Sequence, residues 1–220
     1  MGTSLAMIQG LAALGFDTLC ATPHQKLGQY MPSASAIGDA YDELLGQAKR
    51  AGVQATFVRA AENMWDSVFY ERLSSDEIPG YGESAAFLVE FPVHHLPTGL
   101  LEHLFRIRLS GRLPVIAHPE RYQPLWKAPD LVAELAERCA MVVDLGAVAG
   151  FHGRKQGKVA RSLLQKGLAH AVASDAHGVS DVRMAERGIA WIRKKLGEDA
   201  LIRLLDTAPR RILAGIHPAG

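Results

Sequence analysis

Apolar positions along this chain recur on two different periods. Leu5, Met7, Ile8, Leu11 and Leu14 return at helical spacing and stop at Gly15, a residue suited to closing a helix in the left-handed region, so the chain opens with a predicted helix. Residues 16–21 follow as a short, mostly apolar strand. The two kinds of segment then take turns: helix 37–51, strand 53–60, strand 85–91, helix 99–110, strand 113–117, helix 129–139, strand 141–145, helix 155–166 and strand 168–173, with closing helices near 182–196 and 199–205. Short apolar strands separated by amphipathic helices predict an α/β fold, its parallel sheet covered on both faces or closed into a barrel. One irregularity stands out. A parallel α/β chain ordinarily opens with a strand, whereas this one opens with the helix that should follow it.

No Pro/Gly/Ser-rich linker, charge block or low-complexity tract interrupts the pattern, so residues 1–220 read as one domain. The 24 Lys and Arg against 23 Asp and Glu leave no surplus charge to hold a phosphate backbone, which excludes nucleic acid as a general partner. Cys20 and Cys139 have no CxxC spacing, so neither a thiolate metal site nor a disulfide framework is indicated, and a reducing, cytoplasmic setting fits. No apolar window approaches the roughly 18 residues a membrane span needs, and no membrane insertion is expected.

In parallel α/β folds the chemistry collects where strands end, so the residues just after each strand carry the functional reading. They are polar throughout. The first strand runs into Thr22-Pro23-His24, the second into Glu62-Asn63, the third into Glu90-Phe91-Pro92, the fourth into His118-Pro119-Glu120-Arg121 and the sixth into Ser174-Asp175-Ala176-His177; the fifth offers Asp144. Singly, each has a plain explanation: His24 in a turn, Glu62 and Glu90 as helix caps, Arg121 as a solvated charge. Together, His24, His118 and His177 with Glu62, Glu90 and Asp175 at one sheet edge would repel one another and be poorly solvated without cations between them. Mixed imidazole and carboxylate ligation suits Mn, Zn or Fe and excludes a thiolate site. Arg121, three residues after His118, offers a planar fork of donors that matches phosphate better than a neutral carbonyl and points to a phosphoester substrate.

The motifs TPH at 22–24, EN at 62–63, EFP at 90–92, HxP at 95–97, AHPER at 117–121 and SDAH at 174–177 resemble the PHP (polymerase and histidinol phosphatase) superfamily. Their order and spacing are most similar to the bacterial manganese-dependent protein-tyrosine phosphatases of capsule and exopolysaccharide operons, from about residue 4 to residue 215. The resemblance implies a distorted seven-stranded (β/α) barrel with three metal ions at its C-terminal mouth. Carried across, Glu62 bridges two metals, Glu90 and His118 complete the second, Asp175 binds the first, and His24 and His177 bind the third. Arg121 binds phosphate, and Arg183 is a further candidate for that task. A metal-bridging hydroxide, not a cysteine, would attack phosphorus in line. Mn2+ is the implied cofactor, with Zn2+ or Fe as alternatives, and a phosphotyrosine protein the implied partner, a tyrosine kinase of polysaccharide synthesis being the candidate.

The sequence departs from that pattern in one respect. Family members start with a strand carrying HxH, and no HxH occurs here. His94, His95, His103, His152, His170 and His217 do not replace it by spacing; His95 is a candidate supporting residue, and the others read as surface or core. Asp144 stands where the family often places Gln and receives no role. Three readings follow: a protein-tyrosine phosphatase with activity reduced by the missing HxH, a phosphatase of small monoesters such as histidinol phosphate, or a low-activity scaffold with a binding role. The missing strand would leave apolar wall and a backbone edge exposed, so self-association into a homo-oligomer is expected.

Overall fold

The computed structural model describes residues 2–219. Helix α1 (Gly2–Ala13) leads into β1 (Thr18–Ala21) and β2 (His24–Gln25), then α2 (Ala34–Arg50), β3 (Thr56–Arg59), β4 (Glu62–Met64) and α3 (Phe69–Ser74). The regular alternation follows with β5 (Ala86–Glu90), α4 (Leu100–Leu109), β6 (Leu113–Ala117), α5 (Pro129–Arg138), β7 (Ala140–Asp144), α6 (Leu145–Ala149), α7 (Arg154–Gln165) and β8 (Ala171–Ala173). Helices α8 (Val179–Leu196), α9 (Glu198–Ile202) and α10 (Ala208–Leu213) close the chain. The fold is α/β, and every strand pairing is parallel.

The six expected strands are present, but the first two are each divided. β1 and β3 form a two-stranded sheet, while β2, β4, β5, β6, β7 and β8 lie side by side in a six-stranded one. Thr18 faces Thr56 and His24 faces Glu62, the same offset, so β1 with β2 and β3 with β4 continue one pairing across a break. The polar ends read from the sequence as trailing residues, His24 and Glu62, are therefore inside strands and held by ladder bonds.

Strands β5, β6 and β7 are buried along most of their length, with Phe87, Val89, Val115, Ile116, Met141 and Val143 fully shielded. Burying such a side chain contributes ~1.5–3 kcal/mol. The rings of Phe69, Phe91 and Tyr122 and the side chains of Leu104, Leu135 and Ile192 join all of these except Val115 in one core. Helix α8 crosses α6 so closely that a Cβ at Gly188 would lie 2.4 Å from the Leu145 carbonyl oxygen. That approach fixes α6, and with it Asp144 at its N-terminus.

One side of the sheet system is open. Among the described residues, β1 and β8 each have a strand on one edge only. Their free edges border a cavity of about 800 Å³ lined by 16–24, by 171–177 and by apolar side chains of α1, α9 and α10, including Ile8, Leu11, Leu201 and Leu213. Among the described residues, no helix is long and apolar enough to cross a membrane.

Candidate metal centre

Three ligand-type side chains converge where β2 and β4 begin and β5 ends. One donor atom each from His24, Glu62 and Glu90 lies within 4.8 Å of the others. The ladder explains it: His24 sits opposite Glu62, and Glu90 sits opposite Met64, two residues further along. The Glu62 oxygens face different imidazoles, Oε2 at 2.8 Å from His24 Nδ1 and Oε1 at 2.8 Å from His118 Nε2. His118 Nε2 also lies 3.8 Å from Glu90 Oε1.

Beneath this group buried polar side chains brace the strands. Asn63, fully buried, donates to the carbonyls of Ala61 and Leu88 and accepts from Arg72. Tyr122 donates its hydroxyl proton to the Ala117 carbonyl at 2.8 Å and accepts from the Phe91 N–H at 3.1 Å, so it ties the ends of β5 and β6 together beneath His118. The sequence reading missed Tyr122, which follows AHPER directly.

His118 and Asp175 both hold positive φ, 32° and 44°. Left-handed backbone costs a non-glycine residue roughly 1–2 kcal/mol, and such strain concentrates at functional sites. After His118 the chain makes a 3₁₀ turn over Pro119–Arg121, in which the Arg121 N–H donates to the His118 carbonyl. Residues three apart eclipse in that geometry, so Arg121 returns to the side of the fold that carries His118.

Arg121 pairs with Asp175 and, at 2.9 Å, with Asp144. Burial works against its charge, yet the two carboxylates outweigh burial and raise its pKa. Asp144 is buried: its Oδ1 accepts from the Gly146 N–H at the start of α6, and its Oδ2 receives Arg121 and, at 2.8 Å, His152 Nε2. A Cβ at Gly146 would lie 2.7 Å from His152 Nε2, so glycine there leaves room for the imidazole. Asp144, left without a role, and His152, read as surface or core, thus join Arg121 in one recess with Asp175 and His177. His152 is exposed, as the surface reading has it, and its contact with Asp144 adds it to the mouth.

The remaining candidates fall in different places. His177 stacks on His24 with ring centroids 5.7 Å apart, and its N–H and that of Gly178 donate to Asp181, which caps α8. Arg183, on α8, is exposed and does not line the recess of Arg121. His95 is exposed beyond β5. His170 is buried at the far side, where its Nδ1 accepts from the Met141 N–H.

The protonation balance fits a cation. Burial pushes Glu62 up, but the hydrogen bond from His118 and the nearby charges bring it below the usual carboxylate range. Burial pushes His118 down, and the bond to Glu62 lifts it above the ordinary value. Glu90 is raised by burial and by the charge of Glu62 beside it. Glu90 and His118 therefore favour protons that a metal ion would displace, as ligands must be deprotonated to bind. The residues fit an oxygen- and nitrogen-ligated divalent metal.

The profile for capsular polysaccharide synthesis proteins CpsB/CapC matches residues 1–214 of this chain. The tyrosine-protein phosphatase YwqE of Bacillus subtilis (strain 168) is 27% identical over 207 residues, covering 93% of this chain and 82% of that protein. The tyrosine-protein phosphatase CpsB of Streptococcus pneumoniae is 29% identical over 206 residues, covering 90% and 85%. Among solved structures, one from the study of YwqE and CpsB as "unique metal-dependent tyrosine phosphatases" superposes with a TM-score of 0.88 at 25% identity, over 98% of this chain and 87% of that one. With sequence and fold shared over nearly its whole length, this chain belongs to the CpsB/CapC family of capsular polysaccharide synthesis.

Proposed function

We propose that this chain is a metal-dependent protein-tyrosine phosphatase of capsule or exopolysaccharide regulation, with Mn2+ as its metal. The observation that carries the reading is the convergence of His24, Glu62 and Glu90, joined by His118 and flanked by Arg121, in a CpsB/CapC chain. One Glu62 oxygen faces each of two imidazoles, which supports the reading that this carboxylate would bridge two ions. Glu90 and His118 would hold one ion, Asp175 would serve a second, and His24 with His177 would serve a third. Bound metal supplies charge that polarises the phosphoryl oxygens and activates water.

The chain's own residues do the rest. Arg121 offers its guanidinium to the phosphoryl oxygens, where charge-assisted contacts strengthen as the transition state forms. Asp144 keeps that guanidinium at the mouth, so Arg121 would retain one carboxylate partner if Asp175 served as a metal ligand. Burial raises the thiols of Cys20 and Cys139 to about 11 and about 12, so neither supplies a thiolate nucleophile at neutral pH. Unpaired cysteines suit a reducing cytoplasm.

At the level of the fold we place a further parallel strand in the slot between β1 and β8, which would close the sheets into a (β/α)7-type barrel. Two facing free edges and the apolar cavity between them support this. A version extended upstream by an HxH strand should gain activity and lose any tendency to self-associate; no gain would favour the scaffold reading. The direct test of the ion site is metal analysis after dialysis against Mn2+. Roughly one to two ions per chain are expected, since three-ligand sites suffice for binding, with a clear loss in Glu90→Ala and His118→Ala. Metal-free protein, or variants that bind as well as wild type, would overturn the reading.

A further inference from the structure

One aromatic ring stands over the cluster in solvent. Tyr30 is 59% exposed, yet its loop is tightly fastened. The Lys26 N–H donates to the Tyr30 carbonyl at 2.6 Å and the Tyr30 N–H donates back to the Lys26 carbonyl at 2.9 Å, while the Leu27 N–H donates to Asp66 Oδ2 at 2.9 Å. Gly28, at φ 75°, lets the turn close. The Tyr30 ring centroid lies 5.8 Å from that of His24, tilted by 34°, and the His24 ring stacks in turn on His177. Tyr30 and His177 therefore both stand beside His24, the ring that faces Glu62.

We propose that Tyr30 is a specificity-determining residue that packs against the aryl ring of the substrate ester and so favours aryl over alkyl phosphates. The inference rests on the phosphatase reading and deepens it. In an aryl phosphate the ring is attached directly to the bridging oxygen, so a phosphoryl group held by Arg121 and the cluster leaves the ring at the entrance. His24 occupies that entrance, and Tyr30 is the ring beside it. A surface tyrosine brings large apolar area at low entropic cost and pairs well with a second ring in tilted or offset geometry. Leu27 and Met31, also exposed on this loop, extend the apolar lip. An alkyl phosphate such as phosphoserine presents no ring to this wall.

The test compares Tyr30→Ala and Tyr30→Phe with the parent, all in Mn2+, on a phosphotyrosine peptide and on a phosphoserine peptide of otherwise identical sequence. Tyr30→Ala should raise KM for the phosphotyrosine peptide roughly 3- to 10-fold, the scale of one aromatic pair, with kcat and the phosphoserine rate little changed; Tyr30→Phe should restore KM. Equal losses on both peptides, no change on either, or a Phe variant as impaired as the Ala variant would overturn the proposal. So would loss of metal from Tyr30→Ala, which would make the ring a support for His24. If the parent turns over neither peptide, the phosphatase reading fails separately, and calorimetric binding of free phosphotyrosine against phosphoserine still decides: tighter phosphotyrosine binding that Tyr30→Ala removes sustains the proposal, and equal or absent binding ends it.

Discussion

The two sides of the mouth are built differently. On the side of β4, β5 and β6, Glu62 and His118 are buried inside or directly after strands paired on both edges, and Asn63, Arg72 and Tyr122 brace them from below. On the side of β8, Asp175 and His177 leave a strand with one free edge; His177 is exposed and Asp175 is engaged by Arg121. The first side is preorganised for a metal by its own ladder. The second is held by the Arg121 guanidinium, which we propose also serves the substrate. Ligands on paired strands should therefore dominate metal retention, and those beside the slot should mostly tune rate.

The largest expected effect lies on the paired side. Glu62→Ala should strip the site of most of its metal and lower turnover by about a thousandfold or more, since the carboxylate that would bridge two ions is gone. His177→Ala should keep most of the metal and lose about tenfold in rate. Metal analysis with kinetics on both variants checks the contrast; equal damage from the two would erase the distinction between the sides.

Next comes Arg121→Ala, expected to cost about a hundredfold in kcat/KM with metal content intact. Asp144→Asn should cost less, about a tenfold rise in KM, because the amide still accepts from Gly146 while the anionic partner of Arg121 is gone. Metal loss in step with activity in Arg121→Ala would make the arginine structural. An unchanged KM in Asp144→Asn would remove Asp144 from its positioning role.

The last effect is on stability and leaves the chemistry aside. Glu120 is fully buried, accepts from the Asp144 N–H through Oε1 and leaves Oε2 without a partner. Burial raises its carboxyl from 4.5 to about 7. Because the folded value is the higher one, the stabilising contribution is complete below pH 4.5 and is lost as pH rises through 7. Glu120→Gln should match wild type at low pH and exceed it above pH 7 by roughly 3 kcal/mol at most. Urea unfolding of metal-free protein at several pH values reads this, and a gain that does not vary with pH would contradict it.

Much of this was legible in the chain. Strand β6 is read correctly because five apolar residues stand between Gly111-Arg112 and a polar turn, and the clustering of His24, Glu62, Glu90 and His118 follows from the rule that strand ends share one edge. Short polar elements were harder. The separate strands β2 and β4 contain His24-Gln25 and Glu62-Asn63-Met64, whose pairing comes from register rather than apolar period. Residues 168–170 read as strand because Leu168 and Ala169 are apolar, yet the ladder begins at Ala171. The contact between Asp144 and His152 depends on α6 folding the chain back over a missing Cβ at Gly146, a relation that no spacing motif announces.

The account turns on metal-dependent hydrolysis of phosphotyrosine, and one titration addresses it most directly. The initial rate on a phosphotyrosine peptide is followed as Mn2+ is returned to chelator-treated protein. A rate that starts near zero and rises to saturation with Mn2+ is the predicted result. Turnover that survives chelation unchanged, or none at any Mn2+ concentration, would contradict the account.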